Sequence, residues 1–458
     1  MTEDGEDSPT LAGITLTGWR QFSTIDLDLS SRLTVLTGAN GTGKSTVLGI
    51  LAKHFSWKTV FAAVPRRDRA GREHFFSDWR AELPEASRDG GTFSDDYELD
   101  ILHPREQLPT VAQPSRPSDE LTSIGTVRYS DGSDLTIGIP KLESATYDVV
   151  PASTRQWPTL AGLYLSAFRT PTVYTQLKTI PAQFDATERM LDTYVEQYRT
   201  RYYNEYLPPD QSAFKTMKES LVAAAVYGPG NSSVQPNAAA RDIWDGYQAA
   251  LHRLLPPELA FSHLVVRAPD VIVRTTMGDE YPIDSVSGGV GAVMELTWQI
   301  LLRSWGSPRF TVLIDEPENH LHPSLQRSLL QNLLDAFPGA NFVVASHSPF
   351  IVSSVAESNV YALKFNDEGL VQAVLLDRSD KAGSADDVLR DVLGLESTRP
   401  EWVLSQYEAI LAGHLENAPD SANLMSLRRE LEEAGLSSEL PRAVTRLTDT
   451  YIEERGRD

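Results

Sequence analysis

One octapeptide constrains this chain more than any other stretch. Gly38-Ala39-Asn40-Gly41-Thr42-Gly43-Lys44-Ser45 fits G-x-x-x-x-G-K-[ST], the phosphate-binding loop. The apolar run Leu33–Leu36 precedes it, and helical spacing over Ser45–His54 follows it. That is the strand–loop–helix setting the pattern requires. Glycines let the backbone curl until its N–H groups face phosphate oxygens, and the helix N-terminus adds positive potential. Lys44 then reaches the β- and γ-phosphates, Ser45 ligates Mg²⁺, and Thr46 is placed for the α-phosphate.

Three further elements follow in order. Phe310–Ile314 is apolar except for Thr311, as expected for a strand covered on both faces, and it ends in Asp315-Glu316. In a parallel sheet that end lies beside the phosphate loop. Asp315 is read as holding Mg²⁺ through water, and Glu316 as polarising the attacking water. Upstream, Val286-Ser287-Gly288-Gly289 opens a helix with two glycines, a second anion-binding terminus far in sequence from Gly38. Ser346-His347-Ser348-Pro349 follows the apolar run Phe342–Ala345, where a histidine is placed to donate to a γ-phosphate.

These four elements, in this order, resemble the ABC-type ATPases. Val286–Val290 is similar to their L-S-G-G-Q signature, with valines at its first and fifth positions. The stretch Asp315-Glu-Pro-Glu-Asn-His-Leu-His-Pro323, with Ser346-His-Ser-Pro349, resembles the soluble, non-transporter branch. That branch includes the OLD ATPases and the ATPase subunits of bacterial antiphage systems such as Septu, retron-Septu and PARIS. The resemblance covers about residues 11–60 and 120–375. Ala385–Leu389 and Gly394–Pro400 are similar to tails of the same branch.

The resemblance implies an α/β fold: an ABC-type P-loop ATPase with a mixed sheet, a helical lid insertion and a C-terminal helical extension. It implies ATP and Mg²⁺ as cofactors and a head-to-tail pair of subunits. ATP held by one copy's Lys44 is completed by Ser287, Gly288 and Gly289 of the other. Glu316 serves as base and His347 senses the γ-phosphate. The branch's glutamine after the N-terminal lobe has three candidates, Gln156, Gln176 and Gln183. Arg169 stands where the branch often carries an arginine near the lid. Adenine stacking has two candidates, Arg20 and Phe22.

The remaining chain is read by pattern. Leu11–Leu16 and Ile25–Leu29 alternate as half-buried strands. From about Pro65 to Pro117 charge, Pro, Gly and Ser dominate, an irregular insertion with aromatic islands at Phe75, Phe76 and Trp79. Ser123–Ile139 reads as a hairpin around Asp131-Gly132, and Leu163–Phe168 as a buried strand. Residues 181–256 take helical spacing, broken by Gly228–Asn237 into two pieces too short for an extended coiled coil. Strand character returns at Leu264–Val273, and Ala356–Asp377 reads as two short strands around Asn366–Gly369. Residues 384–458 read as helical. Four regions are expected: 1–175, an N-terminal ATPase lobe with the phosphate loop; 176–262, the helical insertion; 263–375, a C-terminal lobe; and 376–458, the helical extension.

Composition removes other classes. There is no cysteine, hence no disulfide, thiolate zinc site or cysteine nucleophile. The acidic first ten residues lack the apolar core of a secretory signal, and no apolar run spans a bilayer, which takes about 20 residues. A cytoplasmic location is expected. Against 41 Lys and Arg stand 63 Asp and Glu, a net charge of −22, which repels phosphate backbones over most of a surface. Nucleic acid is left to a partner or a local patch, the densest being Arg66, Arg67, Arg69 and Arg72.

A second, metal-binding nuclease domain of the OLD kind needs a glutamate and a downstream Asp-x-Asp pair. Asp386-Asp387 is adjacent rather than spaced and suits a helix cap. His320 and His322, two apart, suit a loop better than a metal. No nuclease is therefore expected in this chain, and any effector is a separate protein. A transporter ATPase departs from this sequence at Glu318–Pro323, and an SMC-type protein needs long coiled coils. A DNA-repair or DNA-tethering ATPase of the RecF or SMC type is the competing class.

Overall fold

Strands whose residues are all buried define the centre of the molecule. In this computed structural model the described residues are 9–67, 73–76, 121–140, 145–153, 156–169, 174–203, 212–395, 400–415 and 420–455. The N-terminal region gives β1 (Leu11–Thr17), β2 (Thr24–Asp28), β3 (Leu33–Thr37) and α1 (Lys44–Leu51). Short strands β4 (Phe61–Ala62), β5 (Val64–Arg67) and β6 (Glu73–Phe76) follow, then the hairpin β7 (Leu121–Tyr129) and β8 (Asp134–Pro140). After β9 (Thr146–Tyr147) and β10 (Val150–Pro151) comes β11 (Gly162–Leu165). The insertion is helical: α2 (Thr187–Tyr202), α3 (Ala213–Tyr227) and α4 (Ala238–Leu254). Next come β12 (Phe261–Arg267), β13 (Asp270–Thr275), β14 (Glu280–Pro282) and α5 (Gly288–Gly306). β15 (Phe310–Asp315), α6 (Pro323–Ala336), β16 (Ala340–Ala345) and α7 (Pro349–Val352) precede β17 (Asn359–Phe365) and β18 (Val371–Leu375).

The central sheet has the order β11-β15-β16-β3-β17-β18. Its first five strands are parallel, and β18 returns antiparallel to β17. Every residue of β3 and β15 is buried, Thr34 and Thr311 included. Strands covered on both faces need such continuous runs. A second, antiparallel sheet has the order β10-β8-β7-β1-β2. Here β2 alternates exposed and buried, with Ile25 and Leu27 turned inward. The two sheets meet where Val371 exchanges backbone hydrogen bonds with Gln21 and Ser23. That join sets the Gln21-Phe22 turn against the phosphate loop.

The insertion helices follow the 3.6-residue period. In α4, Ile243, Tyr247, Leu251 and Leu254 are buried, and the side chain of Asn237 caps the first turn. Ser212 caps α3 in the same way. The Tyr247 hydroxyl donates to the carbonyl of Met294 at 3.1 Å, fastening α4 to α5.

The C-terminal residues Leu389–Asp458 form a second unit, distinct from Met1–Val388. It holds α10 (Glu401–Leu415), α11 (Ser421–Glu433) and α12 (Leu440–Arg455), preceded in the first unit by the short α8 (Arg378–Ala382) and α9 (Ala385–Asp387). The three longer helices have their own core, with Leu411, Leu427, Leu431 and Leu447 at or below 1% exposure. No helix among the described residues is long and apolar enough to cross a membrane.

Three local expectations shift. Among the described residues the insertion holds three helices rather than two, with α2 ending at Tyr202 and α3 beginning at Ala213. The strand expected at Leu163–Phe168 ends at Leu165, where the chain leaves the sheet. Leu264–Val273 is a hairpin of two strands turning at Ala268-Pro269, since paired apolar strands and one long strand share the same alternation. Within the irregular insertion, β5 and β6 pair. Residues 77–120, with Trp79, and Arg69 and Arg72 of the basic patch lie outside the described residues.

Candidate functional site

The phosphate loop leaves β3 and enters α1 through three glycines with left-handed backbone: Gly38 (φ 139°), Gly41 (φ 84°) and Gly43 (φ 94°). Gly43 also faces a close neighbour. A Cβ there would lie 2.4 Å from the Phe22 ring, so only glycine fits. The N-cap of α1 carries no side-chain hydrogen bond, which leaves the helix's first amides free of a capping group. Ala39, Asn40 and Gly41 are exposed, while Thr42 is buried with its hydroxyl donating to the Ala39 carbonyl at 2.9 Å.

Lys44 folds back over this loop. Its Nζ donates to the carbonyls of Gly38 at 2.7 Å and Ala39 at 3.0 Å. Burial lowers its pKa, and the carboxylates of Asp315, Glu316 and Glu318 oppose that shift. Ser45 Oγ donates to Asp315 Oδ1 at 3.1 Å, joining residues that are 270 positions apart. The parallel register β11-β15-β16-β3 makes this meeting possible, because it brings all four C-terminal strand ends to one edge.

Asp315 is buried; its hydrogen-bond partners are neutral, and the charges of Arg169 and Lys44 act on it from nearby. Besides Ser45, the Tyr164 hydroxyl donates to Oδ2 at 3.4 Å. Desolvation raises its pKa to about 6, with the Ser45 bond opposing and the neighbouring Glu316 charge reinforcing the rise. Burial, with Asp315 beside it, pushes the Tyr164 hydroxyl well up as well.

Glu316 has left-handed backbone at φ 47°, unusual for a side chain with a Cβ. Its amide donates to the Ala345 carbonyl at 2.8 Å, and Asn319 Nδ2 donates to its Oε2 at 3.0 Å. Arg169, just past β11, donates through Nη2 to the carbonyls of Asp315 (3.2 Å) and Glu316 (3.3 Å). The strained turn is therefore held from both sides, and Glu316 stays one-third exposed. His347 Nδ1 lies 3.9 Å from Glu316 Oε1 and 3.4 Å from Glu318 Oε1. Glu318 Oε1 is the hub of that turn, accepting from Ser346 Oγ (2.8 Å), His347 N (2.9 Å) and Ser348 N (3.2 Å).

The structure thus brings Gly38–Thr46, Asp315, Glu316 and His347 to one place. Ser287, Gly288 and Gly289 stand apart: among the described residues no hydrogen bond joins them to the phosphate loop. They open α5, where Ser287 and Gly288 are not buried and the cap position makes no side-chain bond. Gly289 backs onto the loop after Glu316; a Cβ there would lie 2.4 Å from the His320 carbonyl.

The two adenine candidates are both engaged by the protein. Phe22 is fully buried, and the Arg20 guanidinium lies over the rings of Trp19 and Phe61. None of Gln156, Gln176 and Gln183 follows β11 directly; Ser166 and Arg169 do. His322 caps α6, and Asp387 closes a capping box with Ser384. Among the described residues no cluster of three His, Asp or Glu is arranged to hold a metal. Sequence reasoning missed Glu318, Tyr164 and Asn319. The repeated carboxylate in Asp315-Glu-Pro-Glu318 was the available signal for the first.

Phosphate loop, paired carboxylates at the end of a parallel strand one place removed from it and a mixed sheet define an ABC-type P-loop ATPase fold. Family models match two parts of the chain. The family described as "AAA domain, putative AbiEii toxin, Type IV TA system" matches residues 224–353, and one described as "AAA domain" matches 14–57. The chain is 25% identical over 162 residues to Septu protein PtuA of Bacillus thuringiensis, across 32% of this chain and 40% of that one. It is 40% identical over 53 residues to the Retron Ec83 probable ATPase of Escherichia coli, across 12% of this chain and 10% of that one. The chain therefore spans less than half the length of these curated relatives. Among solved structures, an SMC head domain from Thermotoga maritima aligns with a TM-score of 0.39 at 13% identity, over 80% of this chain and 99% of that chain. The resemblance to ATPases of Septu and retron systems, read from the motifs, is borne out by these relatives.

Proposed function

We propose that the chain is an ATPase switch. Two copies close around ATP and Mg²⁺, each lending its signature to the other's phosphate loop, and closure controls a separate effector. The Septu and retron relatives support an antiphage setting; in this reading the effector is a nuclease, and the helical insertion and C-terminal helices are the surfaces offered to it. The observation that carries the reading is the meeting of Ser45 and Asp315 at 3.1 Å beside Glu316, with the signature accessible elsewhere on the same subunit.

The donor set fits the nucleotide and the metal. Lys44 donates its protons to loop carbonyls that phosphate oxygens replace. Asp315 is a buried carboxyl whose desolvation outweighs the nearby Arg169 charge, so it gains from a cation beside it. Mg²⁺, when bound, neutralises charge on the β- and γ-phosphates. Ser45 and Asp315 are the residues to hold it. Glu316, aimed by Asn319 and by its left-handed backbone, accepts the proton of the attacking water. His347, anchored through the Glu318 hub, reads the γ-phosphate. Ser287 and the first amides of α5 supply the partner's half of the phosphate cage.

Ser287→Arg tests the shared site. Hydrolysis should be abolished while nucleotide binding by a single subunit is retained, since no contact of Ser287 with its own phosphate loop is lost. An active Ser287→Arg protein would refute the reading.

A further inference from the structure

Away from the phosphate site, the helical insertion buries a cation completely. The Lys218 side chain in α3 has 0% exposure. Its Nζ donates to the Thr175 carbonyl at 3.0 Å, to Asp270 Oδ1 at 2.6 Å and to Asp284 Oδ2 at 2.9 Å. The three ammonium protons thus have three acceptors. The Tyr174 ring lies 5.0 Å away, and its hydroxyl donates to Asp270 Oδ2 at 3.3 Å. The Thr175 amide donates to Asp284 Oδ2 at 3.0 Å. Asp284 Oδ1 is buried and has no hydrogen-bond partner.

A buried ion pair is a weak source of stability, because desolvation offsets most of the attraction. Its geometric effect is larger. Thr175 lies a few residues after Arg169, which grips the Asp315 and Glu316 carbonyls. Asp270 opens β13, and Asp284 sits in the turn Ile283–Ser285 just before Ser287. One ammonium therefore ties together the insertion, the segment that holds Thr175, the start of β13 and the turn that delivers the signature. Ser287 and Gly288 are held by the first turn of α5, where the Gly291 amide donates to the Ser287 carbonyl at 2.9 Å, but their outer faces are open. Ser287 makes no capping bond, and nothing lies within 4 Å of a Cβ built on Gly288.

We propose that Lys218 is a positioning residue for the shared ATP site. It locks the Ile283–Ser285 turn to the insertion, so that Ser287 and Gly288 meet the partner subunit in a single register. This rests on the reading that the signature completes a second subunit's site.

The full-length chain tests it. Lys218→Met alone strands the buried Asp284 carboxylate and the partly exposed Asp270, so the working variant is K218M/D270N/D284N, which removes all three charges together. Hydrolysis is followed over a protein-concentration series, beside the affinity of dilute subunits for a fluorescent ATP analogue. Affinity should stay within about twofold of the parent, while kcat falls about 100-fold, the scale of an ångström-level misplacement. A merely structural lysine would lower Tm, affinity and kcat together. That joint loss, or a fall in kcat of less than about tenfold, overturns the proposal. If Ser287→Arg is inactive and the triple variant active, the shared site stands and Lys218 loses its role. If Ser287→Arg is active, the shared site itself falls. Should the triple variant not fold, hydrogen exchange on the unaltered protein decides. Amides of Ile283–Ser285 should open together with those of α3, and faster exchange of the turn overturns the proposal.

Discussion

Replacing Asp315 by asparagine should make the nucleotide-free protein more stable and less active, in a pH-dependent way. Burial lifts the Asp315 pKa from 3.8 to about 6. Between those values the folded state binds more protons than the unfolded state, so stability falls as pH rises. The contribution is intact below pH 3.8 and is lost by the time pH passes 6. A rise of two units costs about 3 kcal/mol at neutral pH. The asparagine side chain is isosteric, keeps an acceptor for Ser45 and carries no charge to desolvate, so Asp315→Asn escapes the cost. The gap between variant and parent should widen by about 1 kcal/mol from pH 5 to pH 7, less than half of the full effect, because the remainder is already present at pH 5. Urea unfolding without Mg²⁺ or nucleotide reads it, with the buried Trp19, Trp57 and Trp298 as fluorescent reporters. Hydrolysis should collapse in the same variant, since it lacks the carboxylate proposed to hold the metal. Parallel stability–pH curves for the two proteins would refute the electrostatic account of this site.

Other substitutions separate chemistry from architecture. Glu316→Gln should slow hydrolysis by about 100-fold or more, the usual contribution of a general base, while equilibrium ATP binding persists; normal turnover rejects Glu316 as base. Glu318→Ala removes three hydrogen bonds from a buried turn and should lower both Tm and turnover. His347→Ala, at a half-exposed side chain, should lower turnover and leave Tm within a degree or two of the parent. If His347→Ala is the more destabilising of the pair, the hub has been misplaced.

Most of this site was legible because its chemistry is written in contiguous residues. The phosphate loop, the strand ending in Asp315-Glu316 and the Ser346–Pro349 turn each pair a hydrophobic run with a polar ending, and a run of buried β residues needs no distant partner to be recognised. What stayed hidden depends on register. Tyr164 reaches Asp315 only because β11 and β15 align Tyr164 with Leu313. Glu318 becomes a hub only because β15 and β16 end side by side. Lys218 reads as one of several polar residues in the first half of α3, beside Lys215 and Glu219, and nothing local marks it as buried. Helix count failed in the insertion for a related reason: periodicity detects helical spacing but not a break between two stretches that share it.

Hydrogen bonds within the subunit already engage Lys44 and Ser45, and under the proposed scheme that shapes what ATP has to do. Lys44 is hydrogen-bonded by Gly38 and Ala39, and Ser45 by Asp315. Incoming phosphate therefore exchanges hydrogen bonds rather than adding them, and each exchange nets only about 1 kcal/mol. Two liabilities remain uncorrected inside one subunit: the desolvated Asp315 carboxyl and the N-terminus of α5, which has no side-chain cap. The first is relieved by a cation on the phosphate loop. The second is relieved by an anion, and the only anion positioned for it in this scheme is the triphosphate on another subunit. Under that scheme the strong part of the binding energy is reserved for the step that joins two copies, which is the requirement for a nucleotide to act as a closing signal rather than a permanent occupant.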